Sequence, residues 1–214
     1  VARPFARNKD VGLKRIAHLL LLGALLSLTG CFSFNTYGPI GEPDRAATVT
    51  SPRVAQMADV VVSVPKIDDE LRKNVSRQLT AQINHYIESA GYFKDVSVFP
   101  ARLGDQDVML RFNLISLHGK RSPHPAYFPG ALLTLTIYIW VNGPIYVDTY
   151  DLAGELTIKD RTGKTLAKSM EKVDEPHNVG IYDADYASPG LGSRQLRDLI
   201  TKLTDAAVTQ LNAH

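Results

Sequence analysis

The stretch DDELRKNVSRQLTAQINHYIESAG, residues 68–91, reads as one amphipathic helix. Asp68, Asp69 and Glu70 set negative charge at its start, where the helix dipole favours it. Leu71, Val75, Leu79, Ile83 and Ile87 recur every four residues and form a single apolar stripe, and Gly91 stands at the position of a C-terminal cap. A stripe this regular predicts core packing rather than a partner-binding face. Just upstream, Val60, Val61, Val62 and Val64 form a β-branched run stopped by Pro65, which suits a short buried strand.

Downstream of the helix the apolar period falls from four to two. Val96 and Val98 belong to a short strand before Pro100, and Leu110, Phe112 and Leu114 alternate with Arg111 and Asn113 in a longer one. Leu133, Leu135, Ile137, Ile139 and Val141 alternate with Thr134, Thr136, Tyr138 and Trp140, predicting a strand that turns at Asn142-Gly143-Pro144. The next run carries Tyr146, Asp148, Tyr150, Leu152, Leu156 and Ile158. Asp160-Arg161-Thr162-Gly163 predicts a tight turn into a last strand near Leu166 to Val173. Residues 174–192 form a long polar loop. Ser193 then caps a second helix with Leu196, Leu199, Ile200, Leu203, Ala207 and Leu211 on one face. The expected product is an α+β two-layer sandwich, a mainly antiparallel sheet of about four to six strands with two amphipathic helices on one face.

The N-terminal region has a different character. Arg3, Arg7, Lys9, Lys14 and Arg15 precede an uncharged run from Ile16 to Gly30, the layout of a secretory signal. The run is shorter than the roughly 20 apolar residues of a membrane span. It ends Leu28-Thr29-Gly30-Cys31, which resembles the bacterial lipobox, with cleavage between Gly30 and Cys31. That resemblance implies a diacylglycerol thioether and an N-acyl chain on Cys31 and no other cofactor. Phe32 stands where an inner-membrane retention signal has Asp, so the analogy implies the outer membrane. Residues 32–57 are rich in Gly, Pro, Ser and Thr and lack a sustained apolar period, so they predict a flexible tether. The expected layout is a signal peptide at 1–30, a lipidated Cys31 and tether through 57, and one periplasmic domain at 58–214.

Cys31 is the chain's only cysteine, so with its thiol taken up in the thioether no disulfide supports the domain. The formal charge of +2 belongs to the whole sequence. Without residues 1–30, which hold five basic residues and one acidic, 19 basic residues face 21 acidic ones and the charge is −2. That balance provides no electrostatic footprint for nucleic acid.

The order strand, helix, antiparallel strands and closing helix, behind a lipidated N-terminus, resembles small envelope lipoproteins with the TolB N-terminal-domain fold, of the PelC and LpoB type. The segment from Leu133 to Lys172, with Tyr-Val-Asp-Thr-Tyr-Asp-Leu and a Lys-Asp-x-x-Gly-Lys turn, is also similar to uncharacterised proteobacterial lipoproteins. The resemblance implies a fold and a location and brings no catalytic residue.

From Ser122 to Val147 no side chain is formally charged apart from a protonatable His124. Tyr138, Trp140 and Tyr146 lie in this stretch and are the candidate contacts for a partner or a membrane. The alternative is that both faces of a central sheet are covered and these rings are core. His118 and His124 flank Arg121 in an irregular stretch, and His177 sits near Asp174 and Glu175, without the ligand spacing of a metal site. Asp183, Asp185 and Tyr186 offer oxygens to a cation but not in EF-hand order. Gly190-Leu191-Gly192-Ser193 is a loose match to an anion cradle. There is no Gly-x-Ser-x-Gly elbow and no Ser-x-x-Lys. The sequence therefore points to a non-enzymatic, outer-membrane-anchored lipoprotein that assembles with or assists other envelope proteins. The alternative is a periplasmic carrier of lipid or another apolar ligand, with the uncharged stretch lining its pocket. Self-association is left open.

Overall fold

The computed structural model describes residues 31–99, 104–188 and 193–213. The signal peptide with its Gly30 cleavage position, Pro100 and the Gly190-Leu191-Gly192 stretch lie outside the described residues, as does the side chain of Ser193.

Helix α1, Asp69–Ala90, forms where the sequence places it. The Asp68 carboxylate accepts from the Leu71 N–H at 2.9 Å, and Gly91 closes the helix in the left-handed conformation that its missing Cβ permits. Val75, Leu79, Ile83 and Ile87 are buried, while Leu71 at the first turn stays exposed. The closing helix, Ser193–Asn212, carries the expected apolar face, and Leu196, Leu199, Ile200, Leu203, Ala207 and Leu211 are all buried. The two helices touch where the Tyr86 hydroxyl meets that of Thr201 at 2.8 Å.

Both cover one face of a mixed sheet, giving the expected α+β two-layer sandwich. The strands are β1 Phe32–Asn35, β2 Ser51–Met57, β3 Val61–Val62, β4 Phe93–Val98, β5 Val108–Pro123, β6 Tyr146–Lys159, β7 Thr165–Val173 and β8 Pro176–Val179. The main path runs β4-β2-β5-β6-β7, with β1 and β3 also on β5 and β8 on β6. Strands β5, β6 and β7 pair antiparallel, whereas β2 runs parallel to both β4 and β5. The parallel β2–β4 pair follows from the helix between them, because parallel neighbours need a crossover. Leu110, Phe112, Leu114, Leu152, Leu156 and Ile158 are among the sheet residues that build the core.

Residues 31–57 are not a tether. Strand β1 pairs with the far half of β5, and β2 lies inside the sheet. Between them the chain crosses both helices as a strap. Ile40 is fully buried, its N–H donates to the Gln82 amide oxygen at 2.9 Å, and its carbonyl accepts from Arg197 Nε at 2.9 Å. The Arg197–Asp44 and His85–Glu42 ion pairs and an Ala47 N–H to Ala90 carbonyl bond secure the rest. Its Gly and Pro residues mark an irregular path over the domain rather than a solvated spacer.

A second expectation fails between Tyr127 and Val141. The alternating run is not a strand but two short helices, α2 Tyr127–Leu133 and α3 Ile137–Trp140, which makes the closing helix at Ser193–Asn212 α4. The sides of β5 and β6 next to it are already paired. Strand β6 occupies one side of β5, and β1, β2 and β3 share the other, while β7 and β8 occupy the free side of β6. Residues at the tip of the β5–β6 hairpin therefore satisfy their backbone locally, as in the Thr136 N–H to Ala131 carbonyl bond at 2.7 Å and the Gly143 N–H to Tyr138 carbonyl bond at 2.8 Å.

Candidate functional site

The residues singled out by sequence converge at the far end of the β5–β6 hairpin, around a buried ion pair that the sequence does not reveal. Arg121 and Asp148 are directly opposed in the antiparallel ladder, so both side chains leave the same face of the sheet. Arg121 Nε and Nη2 donate to the two carboxylate oxygens of Asp148, each at 2.6 Å. The remaining reach of the guanidinium goes to backbone carbonyls, of Tyr186 at 2.9 Å from Nη1 and of Asp185 at 2.7 Å from Nη2. Burial opposes the charge on Arg121, but the hydrogen bonds and charge of Asp148 outweigh it and hold its pKa above the ordinary value. Of the residues weighed as cation ligands, Asp185 and Tyr186 thus meet the chain's own arginine, through backbone carbonyls rather than side-chain oxygens.

Aromatic rings enclose this pair. Phe32 lies 5.9 Å and Tyr146 5.1 Å from the guanidinium carbon, and Tyr146 packs against Tyr186. Gly119, two pairs further along and on the same face, makes room for Phe34, which meets the buried Tyr150 edge-on at 5.8 Å. Burial, and then the nearby charge of Asp148, push the Tyr150 phenol upward in pKa. Strand β1, the hairpin and the 180–186 loop are therefore one packed unit.

The α2–α3 excursion springs from this unit. Tyr138 is half-buried within it, its ring against Gly130 and Gly143 and its hydroxyl donating to the Pro144 carbonyl at 3.2 Å. Asn142 ties the excursion to the loop, accepting from the Tyr182 N–H at 3.0 Å and donating to Asp183 at 3.2 Å. Asp183 also accepts from the Gly180 N–H at 2.6 Å, so its carboxylate is a loop cap. Of the three aromatic candidates, Tyr138 and Tyr146 are internal struts and only Trp140 presents its side chain to the surface. Leu132, Leu133 and Leu135 of the same excursion are also exposed, although the alternating pattern pointed Leu133 and Leu135 into a sheet.

The histidines stay apart from any ligand set. His177 lies 3.7 Å from Asp185 rather than against Asp174 or Glu175. Among the described residues no three His, Cys, Asp or Glu are placed to hold a metal ion. A cleft of about 520 Å³ runs between the strap, α4 and the 173–177 segment. Several of its charges are paired, as in Arg197–Asp44 at 2.5 Å, Lys202–Asp198 at 2.8 Å and the Tyr92 hydroxyl donating to Asp205 at 2.9 Å. The uncharged 122–147 stretch contributes nothing to this lining, and its Leu132, Leu133, Leu135 and Trp140 are exposed. No described helix is long and apolar enough to cross a membrane.

No family model matches the sequence, and no curated protein does. Among solved structures, the chain is similar to a Xanthomonas campestris protein of the DUF330 family, at 12% identity over 81% of this chain and 98% of that one, with a TM-score of 0.45. It is also similar to a PelC dodecamer from Paraburkholderia phytofirmans, at 12% identity over 83% and 97%, TM-score 0.37. A minor lipoprotein from Acinetobacter baumannii aligns at 16% identity over 74% and 90%, TM-score 0.29. At such identities the site residues are judged on their own geometry.

Proposed function

We propose that this chain is a non-enzymatic envelope lipoprotein, held through acylated Cys31 at the outer membrane and acting as an assembly subunit or accessory by contact with other envelope proteins. The observation that carries the reading is the position of Cys31. It is exposed, it follows Leu28-Thr29-Gly30, and the residue after it opens β1, so an anchor there is joined to the fold itself. The mixed-charge cleft along α4 offers the polar surface on which a protein partner gains specificity. Metabolic labelling with fatty acid tests the anchor. Label enters the native chain and not Cys31→Ser, and continued labelling of that variant overturns the assignment. Density-gradient fractionation with inner-membrane markers overturns the outer-membrane placement. Crosslinking in intact cells that recovers only monomer overturns the assembly role.

A further inference from the structure

Leu132, Leu133 and Leu135 are 78%, 83% and 84% exposed, and Trp140 is 68% exposed, all within one short excursion. Isolated exposed leucines are ordinary, but a local group of this kind marks a contact surface. No Asp, Glu, Lys or Arg occurs between Arg121 and Asp148, so nothing in the excursion resists leaving water on account of charge. Three of its residues, Leu135, Thr136 and Asn142, hold positive φ, which turns the chain sharply between and after the two helices.

The location of this surface names its occupant. Strand β1 runs antiparallel to β5 with Phe32 opposite Arg121. Cys31 therefore lies where β5 continues into Ser122, Pro123 and the excursion. One residue of chain spans at most about 3.3–3.6 Å, and no spacer separates Cys31 from β1. A lipid on Cys31 cannot hold the domain clear of the bilayer, so the end of the hairpin beside it must meet the membrane.

We propose that the α2–α3 excursion is a bilayer-docking surface, with Leu132, Leu133, Leu135 and Trp140 entering the interface of the membrane that holds Cys31. The proposal rests on the reading of Cys31 as the lipid anchor. A lipid surface suits the excursion better than a protein does on two grounds. Its backbone is bonded within itself, through the Thr134 N–H to the Gly130 carbonyl at 3.1 Å and the Val141 N–H to the Ile137 carbonyl at 3.1 Å, as an apolar medium requires. Its aromatic member is a tryptophan, which favours the boundary between headgroups and acyl chains. Anchor and excursion together fix an orientation as well as an attachment.

Trp140 is the only tryptophan of the chain, so its fluorescence reports this surface alone. The purified lipoprotein is reconstituted in vesicles of phosphatidylethanolamine and phosphatidylglycerol. Emission from Trp140 is expected to shift to the blue, to be quenched by lipids brominated on their acyl chains, and to be protected several-fold from aqueous iodide. Leu133→Asp with Leu135→Asp is expected to restore iodide access while fatty-acid label stays on Cys31. Free access of iodide to Trp140 in the native lipoprotein overturns the proposal. So does iodide protection without quenching by brominated lipid, because a second copy or a protein partner then covers the surface. Label absent from Cys31 with Trp140 still quenched by brominated lipid leaves the surface standing and removes the anchor. Label present with Trp140 open to iodide does the reverse.

Discussion

Arg121 and Asp148 sit opposite each other on β5 and β6, joined by two 2.6 Å hydrogen bonds on a face where both are buried. Removing one partner of such a pair leaves the other charge uncompensated, a loss of about 3–5 kcal/mol. Asp148→Asn is therefore expected to lower stability by that order in urea unfolding. Arg121→Met combined with Asp148→Leu should recover much of the loss, because two apolar side chains need no compensation. The 180–186 loop has a separate readout. Its Asp185 and Tyr186 carbonyls are held by the same guanidinium, so hydrogen exchange in the loop should rise in both variants. A loss below about 1 kcal/mol in Asp148→Asn is incompatible with the buried pair.

Gly119 decides whether β1 can lie on the hairpin. A Cβ at this position would stand 2.2 Å from the Phe34 ring. Gly119→Ala should displace that ring and cost about 1–3 kcal/mol, as overpacking does. It should also release the Thr36 N–H from the Leu117 carbonyl, which hydrogen exchange at Thr36 detects. Adding Phe34→Ala removes the clash, so the double variant is expected to be less destabilised than the sum of the two single changes.

The strap has a titratable clasp in His85 and Glu42, 2.8 Å apart. The hydrogen bond to Glu42, and then its charge, raise the His85 pKa above 6.5. A folded pKa above the unfolded one means that the contribution is complete at pH below the unfolded value and is lost as pH rises through the folded value. Following the ring protons by NMR should place the His85 midpoint above 6.5 in the native chain and return it towards 6.5 in Glu42→Gln. An unchanged midpoint in that variant removes the clasp. Both groups are exposed, so the change in overall stability should be small and the midpoint is the observable to use.

Where the sequence was legible, one periodicity had one outcome. The four-residue stripe of α1 and the apolar face of α4 each have a single way to be buried, and the caps at Asp68 and Gly91 act within a few residues. The strap carries no period, because Ile40 is an isolated anchor whose partners, Gln82 and Arg197, lie 42 and 157 residues away. The alternation from Leu133 to Val141 is a true pattern that depends on pairing with β5 or β6, and the short strands β1 and β8 occupy the sides of those strands beside it. The Arg121–Asp148 pair was hidden for a related reason. Each residue continues an alternation as the next inward position, and only the register sets one against the other.

Trp140 and Tyr138 separate the surface of the excursion from its scaffold. Trp140 is largely exposed, so Trp140→Ala is expected to change stability by no more than about 0.5 kcal/mol, the range of surface substitutions. Tyr138 fills the space between Gly130 and Gly143 and bonds to Pro144, so Tyr138→Ala should loosen the excursion, with faster exchange at the Gly143 and Thr136 amides. Phe112→Ala, in the sheet core, sets the scale at about 3–5 kcal/mol. Urea unfolding of the three variants, with hydrogen exchange on the excursion, checks the assignment. A loss in Trp140→Ala that approaches that of Phe112→Ala would show the indole to be packed, and Trp140 would then no longer qualify as a contact residue.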